Sequence, residues 1–155
     1  MGKVKVLLLV VLAAFLTAST GFAAEMKFKA KLTPKEELKQ PKSKASGKAE
    51  FKLSKDSKEV SYKLHVKNIV NANAAHIHMG AKGADGPPVV TLFSAEKKGK
   101  FSGVLAEGTF SDKDLMGDFK GKPLDDLVKM MRSGETYVNV HTDANPDGEI
   151  RGQIK

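Results

Sequence analysis

The sequence predicts an all-β domain, an antiparallel Greek-key-like β-sandwich or barrel with one short helix in a late connection. Short segments that alternate polar and apolar residues recur along most of the chain, as half-buried strands do. Glycine, proline, asparagine and aspartate separate these segments at frequent intervals, which is typical of antiparallel sandwiches and barrels. Only one segment, near the C-terminus, changes to a helical period.

The first 24 residues are predicted to be a secretory signal peptide. Lys3 and Lys5 give a positive start, residues 6–16 are almost all apolar, and small residues surround a cleavage point before Glu25. The apolar run is shorter than the roughly 20 residues needed to cross a bilayer. We therefore expect residues 25–155 to form a single mature domain, secreted or periplasmic, with no transmembrane segment after cleavage.

The composition excludes several classes of function. The formal net charge is +8 and nearly all of it is lysine, since Arg132 and Arg151 are the only arginines. With no Trp and two Tyr, the chain lacks the arginine forks and stacking rings of nucleic-acid readers. The absence of cysteine excludes thiol catalysis and thiolate metal sites. A basic exported protein still suits binding to an anionic surface or polymer.

The alternating segments define the predicted strands. They are residues 27–32, 47–53, 60–66, 75–79, 89–93, 100–108, 135–142 and 149–155. The second and third are separated by a polar turn and therefore form a predicted hairpin. Residues 33–46, rich in Lys, Pro and Ser, predict a mobile loop.

A short helix is predicted over residues 123–132. Leu124, Leu127, Val128 and Met131 follow the spacing i, i+3, i+4, i+7 of one helix face. Pro123 suits the first helical position, two aspartates follow it, and glycine at 134 suits the end.

Two histidines, His76 and His78, stand one residue apart in a predicted strand. Strand side chains alternate, so the two imidazoles share one face, about 6.8 Å apart, while Ala75 and Ile77 face the core. Ring nitrogens at that spacing are able to converge on one cation. The alternative is two polar residues on a solvated sheet face.

The third candidate ligand is His141. Val138 and Val140 predict the core face of its strand, which leaves His141 on the other face, at a strand end followed by a loop. His65 is a further candidate ligand by the same alternation. Because imidazoles suit copper or zinc, we expect copper as the bound metal, with zinc as the second candidate. We expect Asn139 or Asp143 to hold one of the ligand rings in place by a hydrogen bond. Affinity should fall as the pH drops through about 6.5, the ordinary histidine pKa.

Three sequence motifs resemble the CHRD domain, the chordin-type module also found in exported microbial proteins. They are "AHIHMGAKGADGPPVVTLF", "FSGVLAEGTF" and "DLVKMMRSGETYVNVHTDANPDGEIRGQI". The resemblance covers essentially all of residues 25–155. It implies an all-β domain with no agreed enzymatic activity; in animal chordins the module belongs to secreted growth-factor antagonists.

A more distant similarity connects the chain to copper/zinc superoxide dismutases. It implies that His76, His78 and His141 fall on copper-ligand positions and that Arg151 serves as an anion-guiding arginine. The chain departs from that family in having no disulfide, no evident bridging histidine and no zinc loop rich in His and Asp between the histidine strands.

The sequence therefore leaves three hypotheses for function. The first is an exported protein that binds a transition metal through His76, His78 and His141. The second is a non-catalytic module that binds an extracellular protein or an anionic cell-surface polymer. The third is a dismutase-like copper enzyme, which additionally requires an open coordination position and turnover.

Overall fold

A computed structural model describes residues 26–155, which form a mostly antiparallel β structure with one α-helix. The predicted signal peptide lies outside the described residues. The strands are β1 (Lys27–Leu32), β2 (Ser46–Leu53), β3 (Glu59–Met79), β4 (Pro88–Ser111), β5 (Thr136–Thr142) and β6 (Ile150–Gln153). Short 3₁₀ turns occupy Pro34–Glu36, Asp112–Asp114 and Gly117–Phe119. The predicted all-β class is confirmed.

β3 and β4 are longer than the sequence predicts. Residues 60–66 and 75–79 belong to a single strand, as do 89–93 and 100–108. The connecting residues of β3 include Asn68 and Asn71, both in the left-handed backbone region (φ 55° and 52°), and the register with β4 shifts repeatedly there. These bulges bend the paired strands, so the turn-like residues mark a bend rather than a break.

The bend allows β3 to take part in two halves of the sheet. Its first half pairs with β2 and its second half pairs with β5, while β4 pairs with both halves. The sheet then runs in the order β1-β2-β3-β5-β6.

The last strand returns to the first and nearly closes a barrel. Thr33 and Arg151 exchange backbone hydrogen bonds of 2.9 and 3.2 Å, and Lys29 and Lys155 exchange bonds of 2.8 and 2.9 Å. An edge that is paired in this way offers no free template to another chain.

The interior of this barrel is apolar and includes one face of the helix. The largest completely buried apolar side chains are Leu32, Leu64, Ile69, Ile77, Leu127, Met131, Ile150 and Ile154. The helix α1 (Leu124–Ser133) buries the four residues that its periodicity predicts, and Gly134 ends it at φ 73°. Pro123 lies just before the helix rather than in its first turn. Within residues 26–155, the helical segments are too short or too polar to cross a membrane.

Candidate metal centre

Three histidine side chains meet on the outer face of β3 and β5. The antiparallel register places His76 opposite Asn139 and His141 opposite Ala74, so these two histidines are diagonal neighbours across the strands. Ala75, Ile77, Val138 and Val140 are completely buried on the opposite face, as alternation predicts. The ring centroids are 5.6 Å apart for His76–His78, 5.2 Å for His76–His141 and 6.0 Å for His78–His141.

The ring nitrogens are close enough to share one ion. In residues 26–155, one nitrogen from each of His76, His78 and His141 lies within 4.8 Å of the other two. Nδ1 of His76 is 3.3 Å from Nε2 of His141. Two ligands at about 2.0–2.1 Å from a tetrahedral ion are separated by about 3.3 Å, so this pair already has the required spacing.

Two backbone carbonyls orient the rings. Nδ1 of His78 donates to the carbonyl of Gly86 at 2.9 Å, and Nδ1 of His141 donates to the carbonyl of Pro146 at 2.8 Å. Since a carbonyl only accepts, each of these nitrogens carries the proton, and in the neutral ring Nε2 keeps its lone pair. Nε2 of His78 is buried and has no hydrogen-bond partner, as a nitrogen reserved for a metal would be.

The structure revises the expectation that Asn139 or Asp143 holds a ring. Asn139 instead donates to Glu37 at 2.7 Å, and Asp143 accepts from Asn73 at 3.0 Å. The loops that follow the two histidine strands supply the orienting groups through their backbone, which side-chain chemistry in the sequence does not predict.

The surroundings keep two of the rings neutral. Burial, with smaller contributions from the neighbouring His141 and His78, lowers the pKa of His76 to about 4. Burial also lowers the pKa of His78, against the opposing effect of its bond to Gly86. Metal ligands must be unprotonated, so for these two rings proton competition begins below the pH of about 6.5 expected from free imidazole.

His65 lies elsewhere on the sheet. It is in the first half of β3, opposite Lys48 on β2 and Val104 on β4. The eleven steps from His65 to His76 amount to more than about 30 Å of strand path. Among the described residues, the group of converging ligand atoms does not include His65.

A stack of three side chains supports His78 from the side. The Tyr137 ring lies 4.9 Å from the His78 ring at an interplanar angle of 12°, and the Arg151 guanidinium lies 3.4 Å from the Tyr137 centroid. Because β5 lies between β3 and β6, His78 and Arg151 approach Tyr137 from opposite sides. The Tyr137 hydroxyl donates to Asp85 at 2.8 Å; burial, assisted by this bond, raises the pKa of Tyr137 to about 12.

Arg151 is a buried residue that holds the loop after β3. Its side chain is 3 % exposed, donates to the carbonyl of Ala84 and lies 3.9 Å from the Asp85 carboxylate. A guanidinium that guides an anion must face solvent, whereas this one faces a loop. We therefore assign Arg151 a positioning role at the stack.

The loop between β1 and β2 is anchored beside the site. Glu37 is 7 % exposed and accepts the hydrogen bond from Asn139, while Ser43 donates to Glu149 at 2.5 Å. Composition predicts a mobile loop here, and it gives no signal that Glu37 is buried. Tyr137, by contrast, lies on the same face of its strand as His141 according to the alternation of polar and apolar residues, so the sequence does predict its position beside the site.

Comparison with known proteins gives one match. Residues 28–154 match the family model of the CHRD domain. No curated protein and no solved structure gives a significant match to the chain. Since the family match spans nearly all of the described residues and the fold is the all-β domain that the sequence motifs imply, the protein belongs to the CHRD-domain family.

Proposed function

We propose that the protein is an exported metal-binding protein that holds one transition-metal ion through His76, His78 and His141. Copper is the preferred ion and zinc is the second candidate. The observation that carries the proposal is the convergence of three ring nitrogens, with two of the rings oriented by carbonyls so that their lone pairs are left for an ion. Histidines that merely occupied a solvated sheet face would not need this arrangement.

The ligand chemistry supports copper or zinc over harder ions. The cluster contains three imidazoles and no carboxylate or thiolate. Imidazole suits copper and zinc, while calcium and magnesium prefer oxygen, and copper(II) stands highest among the divalent ions in affinity for such a site. Three protein ligands leave a tetrahedral ion one position for water or another small ligand.

The proposal is tested by titrating residues 25–155 with copper(II) and with zinc(II) by calorimetry. We expect one ion per chain, and a loss of at least about tenfold in affinity when His76, His78 or His141 is changed to Ala. His65→Ala is the matched control, because it removes a histidine from the outer face of the same strand. Equal binding by wild type and the triple alanine variant would favour a module that binds no metal at this site.

Export is the second part of the proposal. It is supported by the charged, apolar and small-residue segments of residues 1–24. Mass spectrometry of the protein from its native source should find the N-terminus at Ala24 or Glu25 in the extracellular or periplasmic fraction. A chain in the cytoplasm that retains Met1 would contradict export while leaving the metal site untouched.

A further inference from the structure

The outer face of β1, β2 and the first half of β3 is dominated by lysine. Alternation places the aliphatic residues of these strands inside and their polar residues outside. We name as the lysine face the seven exposed lysines of these rows: Lys27, Lys29, Lys31, Lys48, Lys52, Lys63 and Lys67. The outward carboxylates in the same rows and the adjoining part of β4 are Glu50, Glu59 and Glu107.

Lysines outnumber the outward carboxylates on this face even when Lys27 and Lys52 are left out of the comparison. Glu50 is bound to Lys48 at 2.7 Å and Glu107 to Lys63 at 2.8 Å. The register sets Lys31 directly opposite Lys48, an arrangement of like charges that destabilises a sheet. A sheet that keeps such pairs has a positive potential suited to an external anion.

The face is also grooved. One groove of about 890 Å³ is lined by Lys29, Lys31, Lys48, His65 and Lys67, together with the Glu50 carboxylate and apolar residues of the same strands. A second groove, of about 430 Å³, is lined by Lys27, Lys52 and Lys63 and shares Lys29 and Glu50 with the first. Residues on one face repeat at about 6.8 Å along a strand and about 4.8 Å between strands, so the outward side chains, most of them lysines, begin at regular intervals along both grooves.

We propose that the lysine face binds a linear acidic polysaccharide, a polymer that carries one negative group on each repeating unit. Such a polymer presents charges at regular intervals along an extended chain, which matches rows of lysines beside two adjoining grooves. Lysine supplies mobile point charges rather than the fixed fork of arginine, and this favours a repetitive anion over one defined group. The proposal does not depend on the metal site, which lies on the second half of β3.

Other anionic or protein partners fit this face less well. Single-stranded nucleic acid is bound through stacking aromatic rings, and stable attachment to a membrane surface adds inserted apolar side chains to the attraction between charges. Among the described residues, the large exposed hydrophobic side chains are Leu38, Val70 and Val104, and only Val104 borders this face. Protein interfaces are depleted in lysine at their centre, whereas lysine is the commonest outward residue of this face.

The test measures binding of the mature domain to polygalacturonate, with neutral dextran as the uncharged polymer. We expect binding to polygalacturonate only, weakened at least tenfold when the salt concentration rises from 50 to 500 mM, because salt screens exposed charges. The variant K29Q/K31Q/K48Q/K67Q should lose at least about tenfold in affinity. Its matched control, K55Q/K98Q/K113Q/K120Q, removes the same charge from exposed lysines outside the face and should lose less than threefold.

Three results would overturn the proposal. They are equal losses in the two quadruple variants, equal binding to dextran, and tighter binding to anionic lipid vesicles or to single-stranded DNA than to polygalacturonate. Circular dichroism and copper titration of both variants verify that the fold and the metal site are intact. Failure of the metal proposal would appear only in the copper titration of the wild-type chain.

Discussion

At the scale of single residues, the candidate site depends on which nitrogen of each histidine ring is already hydrogen-bonded. The carbonyls of Gly86 and Pro146 accept hydrogen bonds from the Nδ1–H groups of His78 and His141, so each of these two rings presents Nε2. Tyr137 packs flat against His78 and is itself covered by Arg151. The rings of His78 and His141 are therefore fixed in rotation and tautomer before any ion arrives, which reduces the ordering cost of binding one.

Glu37 is the residue whose ionisation should affect stability most clearly. Burial is the main cause that raises the pKa of its carboxyl from 4.5 to about 7. Asp85 raises this pKa by a smaller amount, while Arg151 and the hydrogen bond from Asn139 lower it. Between these two pH values the folded chain keeps a proton that the unfolded chain has lost. The stability from this group is therefore complete below pH 4.5 and is lost as the pH rises through 7.

Glu37→Gln keeps the acceptor for Asn139 but cannot ionise. Relative to wild type it should be equally stable at pH 4.5 and more stable at pH 8, by up to about 3 kcal/mol. Urea unfolding at several pH values measures the difference. Glu96→Gln, at an exposed carboxylate, should show no such trend. A stability difference for Glu37→Gln that stays constant with pH would contradict the burial of an ionisable group here.

At the scale of elements, the sequence correctly predicts the strands and the helix that have a regular period, but it does not predict where the backbone is irregular. The six alternating residues of β1 and the helical spacing of α1 each report a single buried face. Asn68 and Asn71 are turn-forming residues in the sequence, yet they bend β3 without ending it, and the side chain of Asn71 accepts a bond from the Gly99 amide at 2.7 Å on β4. That cross-strand partner is distant in sequence, so local composition predicts a break.

The helix gives a direct test of the packing that its period predicts. Leu127 is completely buried in the core, whereas Met130, on the same helix, is only partly buried. Leu127→Ala should cost about 2–5 kcal/mol because it leaves a cavity. Met130→Ala should cost less than about 1.5 kcal/mol. Chemical denaturation of both variants compares them, and similar losses would mean that the helix does not pack through the predicted face.

At the scale of the whole molecule, closure of the sheet brings the site together. β3 and β5 pair directly, although the sequence separates His76 from His141 by a long strand, two short 3₁₀ turns and a helix. Alternation predicts that both histidines face outward from their strands. It does not predict that the strands are neighbours, nor that Glu37 and Asp85 reach the same region from two loops, because those contacts are made by tertiary packing.

Gly152 tests the closure between β6 and β1. A Cβ at this position would lie far inside contact distance of the Lys31 carbonyl, which is backbone and has no room to withdraw. Gly152→Ala should therefore destabilise the domain by about 2–4 kcal/mol. Gly83→Ala, where no atom is within 4 Å of the new carbon but φ is 79°, should cost only about 1 kcal/mol. Equal thermal midpoint shifts would contradict the close approach of the two strands.

The most direct test of the metal centre is X-ray absorption spectroscopy of the copper-loaded mature domain, alongside His65→Ala and the triple variant at His76, His78 and His141. We predict three imidazole ligands at about 2.0 Å in wild type and in His65→Ala, and loss of the imidazole signal in the triple variant. An unchanged histidine signal in the triple variant, or a wild-type spectrum with fewer than two imidazoles, would contradict the centre described here.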